Sequence, residues 1–134
     1  LEQELLRILL YKPFLNYFGK DQFRINHKNK EWYVKFSIHA MARYVERDAK
    51  MDKKWLEELL VKMIKVLQFK EKNKLFLVYS VSLKRAMVVS KKTDDSFNVI
   101  TVYPEGENVQ SKNTQKVLIE NLYYGVIDEY IEIE

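Results

Sequence analysis

Cysteine is absent from these 134 residues, proline occurs twice and glycine three times. The missing thiols exclude disulfides, thiolate-bound zinc, iron–sulfur clusters and cysteine nucleophiles, so any chemistry falls to histidine, carboxylates, hydroxyls and cations. The three glycines stand apart from one another, so no phosphate-cradling loop exists, and no HExxH, EF-hand or GxSxG pattern occurs either. Nucleotide hydrolysis, zinc proteolysis and serine hydrolase chemistry therefore lack their usual residues, and neither metal nor cofactor is expected. No apolar run approaches the roughly 18 to 20 residues of a membrane span, and no signal peptide with a cleavage site is visible. No membrane partner is expected. The chain begins at Leu1 rather than Met, as a piece of a longer polypeptide or a trimmed chain would, so native targeting is not legible.

What is present is a dense set of large apolar residues, 47% hydrophobic, with 31% charged. That composition fits one folded domain over 1–134 with a single core. The formal net charge of +4 is unevenly distributed. Residues 20–92 carry 19 basic and 8 acidic side chains, a net of +11, whereas residues 93–134 carry 2 basic and 9 acidic, a net of −7. A positive block of this size attracts polyanions over roughly a Debye length, about 8 Å at physiological salt, and nucleic acid is the commonest such partner. About half of the excess, including Lys53, Lys54, Lys62, Lys65 and Lys70, reads simply as the solvated side of a helix. The acidic end from Asp128 to Glu134 suits either pairing with the basic block or a free tail.

Residues 2–11 place Leu5, Leu6, Leu9 and Leu10 at helical spacing, with Pro13 ending that helix, so 1–18 reads as a helical lead-in. Residues 22–26 and 31–36 read as a hairpin around a polar HKNK turn, with His27 solvated or at most touching a phosphate. Ser37 suits a helix N-cap, and Ile38, Met41, Ala42 and Val45 form the expected buried stripe of that helix. Asp52 caps a second helix with the stripe Leu56, Leu59, Leu60, Met63, Ile64 and Leu67. From Leu75 three short runs of high β-propensity predict an antiparallel meander. Residues 114–124 return to a helical pattern, and the last residues suit a strand equally well. The fold class expected is α+β, two central helices on one face of an antiparallel meander sheet, with extra N- and C-terminal elements.

The histidines and their neighbours carry the candidate chemistry. His39 borders the buried stripe of the first central helix, and Arg43 and Arg47 follow at i+4 and i+8 on the same side. An imidazole beside fixed cations suits phosphodiester cleavage, because one group exchanges a proton near neutrality while the others hold a phosphate. With RNA the 2′-hydroxyl is the nucleophile and no metal is needed. The plainer alternative makes His39 a residue bordering the core and pairs the arginines with Glu46 or neighbouring acids. On the strands, Ser80, Ser82 and Lys84 share one face, and Thr101 shares a face with Tyr103; hydroxyls in a strand or turn are also ordinary. Trp32, Tyr33, Tyr44 and Tyr103 are candidates for base stacking, although aromatics in a small domain mostly fill the core.

The run FSIHAMARYVERD, a long amphipathic helix, LFLVYSVSLKRAMVVSKK and a closing NVITVYP together resemble the ribonuclease-toxin superfamily that unites barnase, EndoU, colicin D and RelE-type toxins. In its phage-encoded and polymorphic-toxin members, S-x-H-A-x-x-R lies on a helix, and the strands end in two hydrophobic residues, Thr, a hydrophobic residue and Tyr. The match covers residues 36–104, leaving 114–134 as a C-terminal addition. The resemblance implies a metal-independent nuclease acting on tRNA, mRNA or other RNA in the cytoplasm of a target cell. Delivery as part of a larger secreted or phage protein, and a cognate immunity or antitoxin protein, would accompany it. Carried over by position, His39 and Arg43 match the helix motif, Lys84 or Lys91 the strand cation, and Thr101 the terminal hydroxyl. Arg47, Ser80, Ser82, Lys91 and Tyr103 would then contact substrate.

Two function classes remain open in the sequence. One is a metal-independent endoribonuclease. The other is a non-catalytic module that binds nucleic acid, serves as a phage accessory or engages a protein through the same basic surface.

Overall fold

The computed structural model describes residues 9–46, 51–80, 85–104 and 127–133. In chain order these form helix α1 (Tyr11–Phe18), strands β1 (Gln22–His27) and β2 (Lys30–Phe36), helices α2 (Ile38–Glu46) and α3 (Lys53–Leu67), strands β3 (Leu75–Ser80), β4 (Arg85–Thr93) and β5 (Ser96–Pro104), and strand β6 (Glu129–Glu132). The architecture is α+β. All six strands join one sheet in the order β1-β2-β5-β4-β3-β6. The meander β3–β4–β5 is antiparallel, but β2 pairs parallel with β5 and β3 parallel with β6, so the sheet is mixed.

Local chemistry explains most boundaries. Most of the lead-in helix expected over 2–11 lies outside the described residues; Pro13 itself sits in the first turn of α1, where its missing N–H has no intrahelical acceptor to lose. The helix ends at Gly19, whose φ of 76° is left-handed and whose N–H donates to the Leu15 carbonyl at 2.7 Å. Lys28 and Asn29 both have positive φ, the signature of the two-residue turn whose twist suits a hairpin, and they close β1 onto β2. Ser37 caps α2, its Oγ accepting from the Ala40 N–H at 3.0 Å. Asp52 caps α3, its Oδ1 accepting from the Trp55 N–H at 3.1 Å.

All three helices cover the same face of the sheet. The core beneath them joins Leu56, Leu60, Met63, Ile64 and Leu67 of α3 to Val34, Phe76, Val89 and Val99 of the strands. Phe14, Phe18, Phe23, Phe36 and Tyr44 make a second focus, with ring centroids 4.6–6.3 Å apart. The stripe expected on α3 is buried in full. That of α2 is not: Ile38 is 52% exposed, while Ala40, Met41, Ala42, Arg43 and Tyr44 are all buried. The reason is that α2 lies between α1 on one side and β2 and β5 on the other, so burial extends around more of its circumference than one stripe.

The opposite face divides in two. Near β3 and β4 it carries a smaller apolar cluster of Leu75, Leu77, Ala86, Val88 and Ile127. Over β1, β2 and the start of β5 it is polar, with Gln22, Arg24 and Lys35 exposed and Tyr33 half-buried. The acidic C-terminal stretch is held at the sheet edge. β6 pairs with β3, Glu129 lies 2.8 Å from the Lys70 ammonium, and Asp128 accepts from the Leu75 N–H at 2.7 Å.

Candidate functional site

Residue Ser37 links the helices to the sheet. Its N–H donates to the Val99 carbonyl at 3.1 Å, continuing the parallel β2–β5 ladder, and its Oγ donates to the Ile100 carbonyl at 3.1 Å. The first turn of α2 is thereby anchored to the middle of β5. His39, half-buried, lies two residues beyond that anchor. Arg43 follows one turn later with its side chain only 9% exposed, and its Nη1 forms an ion pair and hydrogen bond with the Glu46 carboxylate. At 3.6 residues per turn, positions 39, 43 and 46 fall within about 60° of arc on one helix face. Glu46 entered the sequence reading only as an ion-pair partner. Its spacing, i+3 from Arg43 and i+7 from His39, is the signal that places it in the same row.

The strand residues are arranged differently from the expected cleft. Val89 pairs with Val99 but Val88 pairs with Thr101, so Ile100 is an extra residue, a β-bulge. Upstream, Phe97 and Val99 belong to the helix-side core; downstream, Val102 resumes that side opposite Met87. Thr101 instead shares the face of Val88 and the second apolar cluster. A strict two-residue period would have set Thr101 beside Val99, under the helices. The bulge sends it through to the other side. Thr101 is 1% exposed, and its Oγ1 has no hydrogen-bond partner among the described residues. The backbone of Tyr103 pairs with Ala86; its side chain lies outside the described residues.

Lys91, expected to touch substrate, is a helix cap in this structure. Its ammonium donates to the carbonyls of Gln68 and Lys70 at 2.8 Å each and, more loosely, to Leu67 at 3.4 Å. Three donors meet three carbonyls at the end of α3, which leaves no N–H for a phosphate. Burial pushes this ammonium below the usual lysine range, with the charges of Lys30 and Lys72 adding to the effect and Asp94 opposing it. Ser80 is buried at the end of β3, on the helix-bearing side by alternation with Phe76 and Val78. Arg47, Ser82 and Lys84 lie outside the described residues. Of the proposed base-stacking aromatics, Trp32 and Tyr44 are core residues at 3% and 1% exposure, because their alternating and helical positions point under the helices.

A second feature was not singled out in the sequence. On the polar half of the open face, a groove of about 420 Å³ runs over Gln22, Tyr33, Lys35, Lys92, Asp95 and Asn98. A second irregularity produces part of it. Lys91 pairs with Phe97 and Thr93 with Ser96, so Lys92 is the extra residue and is exposed while its neighbour Lys91 is buried. The Tyr33 hydroxyl donates to Glu31 at 3.2 Å, and that bond, with the carboxylate's charge, raises the phenol above its usual pKa. The alternation in KEWYVKF, with Trp32, Val34 and Phe36 inward, was the available signal for Tyr33 and Lys35 facing outward.

Among the described residues no three of His, Asp and Glu gather as a metal site, and no helix is long and apolar enough to cross a membrane. No known protein family, curated protein or solved structure matches the chain.

Proposed function

We propose that the chain is a metal-independent endoribonuclease whose proton-transfer groups are His39 and Glu46 on α2. The observation supporting this reading is the row of imidazole, guanidinium and carboxylate on one helix face, with Arg43 bonded to Glu46. Glu46 accepts the proton of an RNA 2′-hydroxyl, whose oxygen attacks the adjacent phosphorus. His39 donates a proton to the departing 5′-oxygen as its bond to phosphorus breaks. The products are a 2′,3′-cyclic phosphate and a free 5′-hydroxyl, and every proton is accounted for. Arg43, largely buried, orients Glu46 rather than gripping the substrate. Thr101 is assigned no step, since it belongs to the opposite face.

The test is cleavage of RNA in EDTA. The expected outcome is cyclic-phosphate ends, with His39→Ala and Glu46→Gln each slowing cleavage by about 10²–10⁴-fold. Intact RNA with the unaltered protein, or an undiminished rate in His39→Ala, rejects it. A second reading, RNA binding without cleavage, is favoured by the engagement of Lys91 as a helix cap and by the burial of Thr101, which remove two of the expected participants. It predicts salt-sensitive binding with RNA left whole.

A further inference from the structure

We propose that the groove on the open face is a nucleotide subsite, in which a base of single-stranded RNA stacks on Tyr33 and its flanking phosphates lie against Lys35 and Lys92. The inference deepens the preceding reading and rests on its RNA substrate, but it concerns a different part of the molecule.

The groove has the size of a small-ligand site, at about 420 Å³. Its floor is the start of β5, and it is bounded by β2 on one side and β4 on the other. Lys35 and Lys92 stand on these two flanking strands, roughly 10 Å apart at the usual interstrand spacing. Neither has an ion-pair partner among the described residues. Two cations on either side of a strip of backbone suit a chain of phosphates more than one isolated anion.

Two residues before Lys35 on the same strand and face is Tyr33, which supplies the flat apolar surface that a base requires. Its hydroxyl is held by Glu31, itself 3.9 Å from Arg24, so the ring is steadied from the outer strand. The amides of Gln22 and Asn98 offer both donors and acceptors to a base edge. Asp95, whose carboxylate accepts from the Thr93 hydroxyl at 2.7 Å, puts a negative charge at one end and directs phosphates toward the lysines. Cations, an aromatic ring and amides together fit a nucleotide. An acidic peptide would satisfy the lysines but leave the ring without a stacking partner.

The experiment uses the full chain and a fluorescently labelled, 2′-O-methylated RNA ten-mer, which lacks the attacking hydroxyl and stays intact. Tyr33→Ala is expected to weaken binding by about 5- to 150-fold, the range of base–aromatic stacking, and Tyr33→Phe to retain it. Lys35→Ala and Lys92→Ala are each expected to flatten the log–log salt dependence by about 0.7. Wild-type affinity in all these variants overturns the proposal. So does displacement of the RNA by polyglutamate as effective as by unlabelled RNA, which would assign the surface to acidic proteins. Cleavage of ordinary RNA separates the two inferences. Cutting that depends on His39 with an unchanged KM in Tyr33→Ala sinks the subsite alone; Tyr33-dependent binding of RNA that is never cut sinks the catalytic reading alone.

Discussion

The two faces of the sheet share the same six strands, and they differ in what lies over them. One is covered by three helices and holds the aromatic cluster of Phe14, Phe18, Phe23, Phe36 and Tyr44. The other holds a smaller apolar cluster at one end and an open polar groove at the other. Tolerance should follow that division. On the helix side each side chain is surrounded, and a change in volume is felt. On the groove side a residue touches solvent and can be chosen for what it binds.

Substitutions can break this contrast in graded steps. Phe14 is fully buried against four other rings, so Phe14→Ala should cost about 3–5 kcal/mol in urea unfolding and leave little folded protein if the total is modest. Lys91→Met keeps the apolar stem but strips the carbonyls of α3 of their ammonium. It should cost about 1.5–3 kcal/mol, with early hydrogen exchange at the end of α3 as the local sign. Ser37→Ala removes the α2 cap and the bond to Ile100, for about 0.5–2 kcal/mol by thermal unfolding.

The smallest effect is in pH. Lys91 binds its proton less tightly when folded, so its contribution to stability rises with pH through the window below the ordinary lysine value of about 10.4. Tyr33 binds its proton more tightly when folded; its contribution is complete below about pH 10 and is lost as pH climbs through the raised value. Denaturation curves between pH 8 and 11 should therefore show the Lys91→Met deficit growing and the Tyr33→Phe deficit shrinking. Parallel curves for both variants would contradict the environments described for these groups.

Features set by neighbours in sequence were legible beforehand. The β1–β2 hairpin, the caps at Ser37 and Asp52 and the long stripe of α3 need only a few consecutive residues to declare themselves. Those that depend on distant partners were not. Nothing near Ile38 announces that α1 will bury the flank of α2 and leave Ile38 outside, and the parallel pairing of β2 with β5 joins segments some sixty residues apart. The candidate site divides the same way. The row of His39, Arg43 and Glu46 follows from helical spacing, whereas the face taken by Thr101 depends on one extra residue, Ile100, that no alternation rule reveals. The adjacent lysines 91 and 92 look equivalent in sequence; only the register and the end of α3 tell them apart.

Lys91 also makes the molecule its own reporter. It is the one buried lysine among the described residues, while Lys92 beside it is open to solvent. An amine-acylating reagent should therefore mark Lys92 at once and reach Lys91 only when the end of α3 lifts from β4. Comparing the labelling of these two adjacent amines by mass spectrometry would time that opening, with no probe added to the chain.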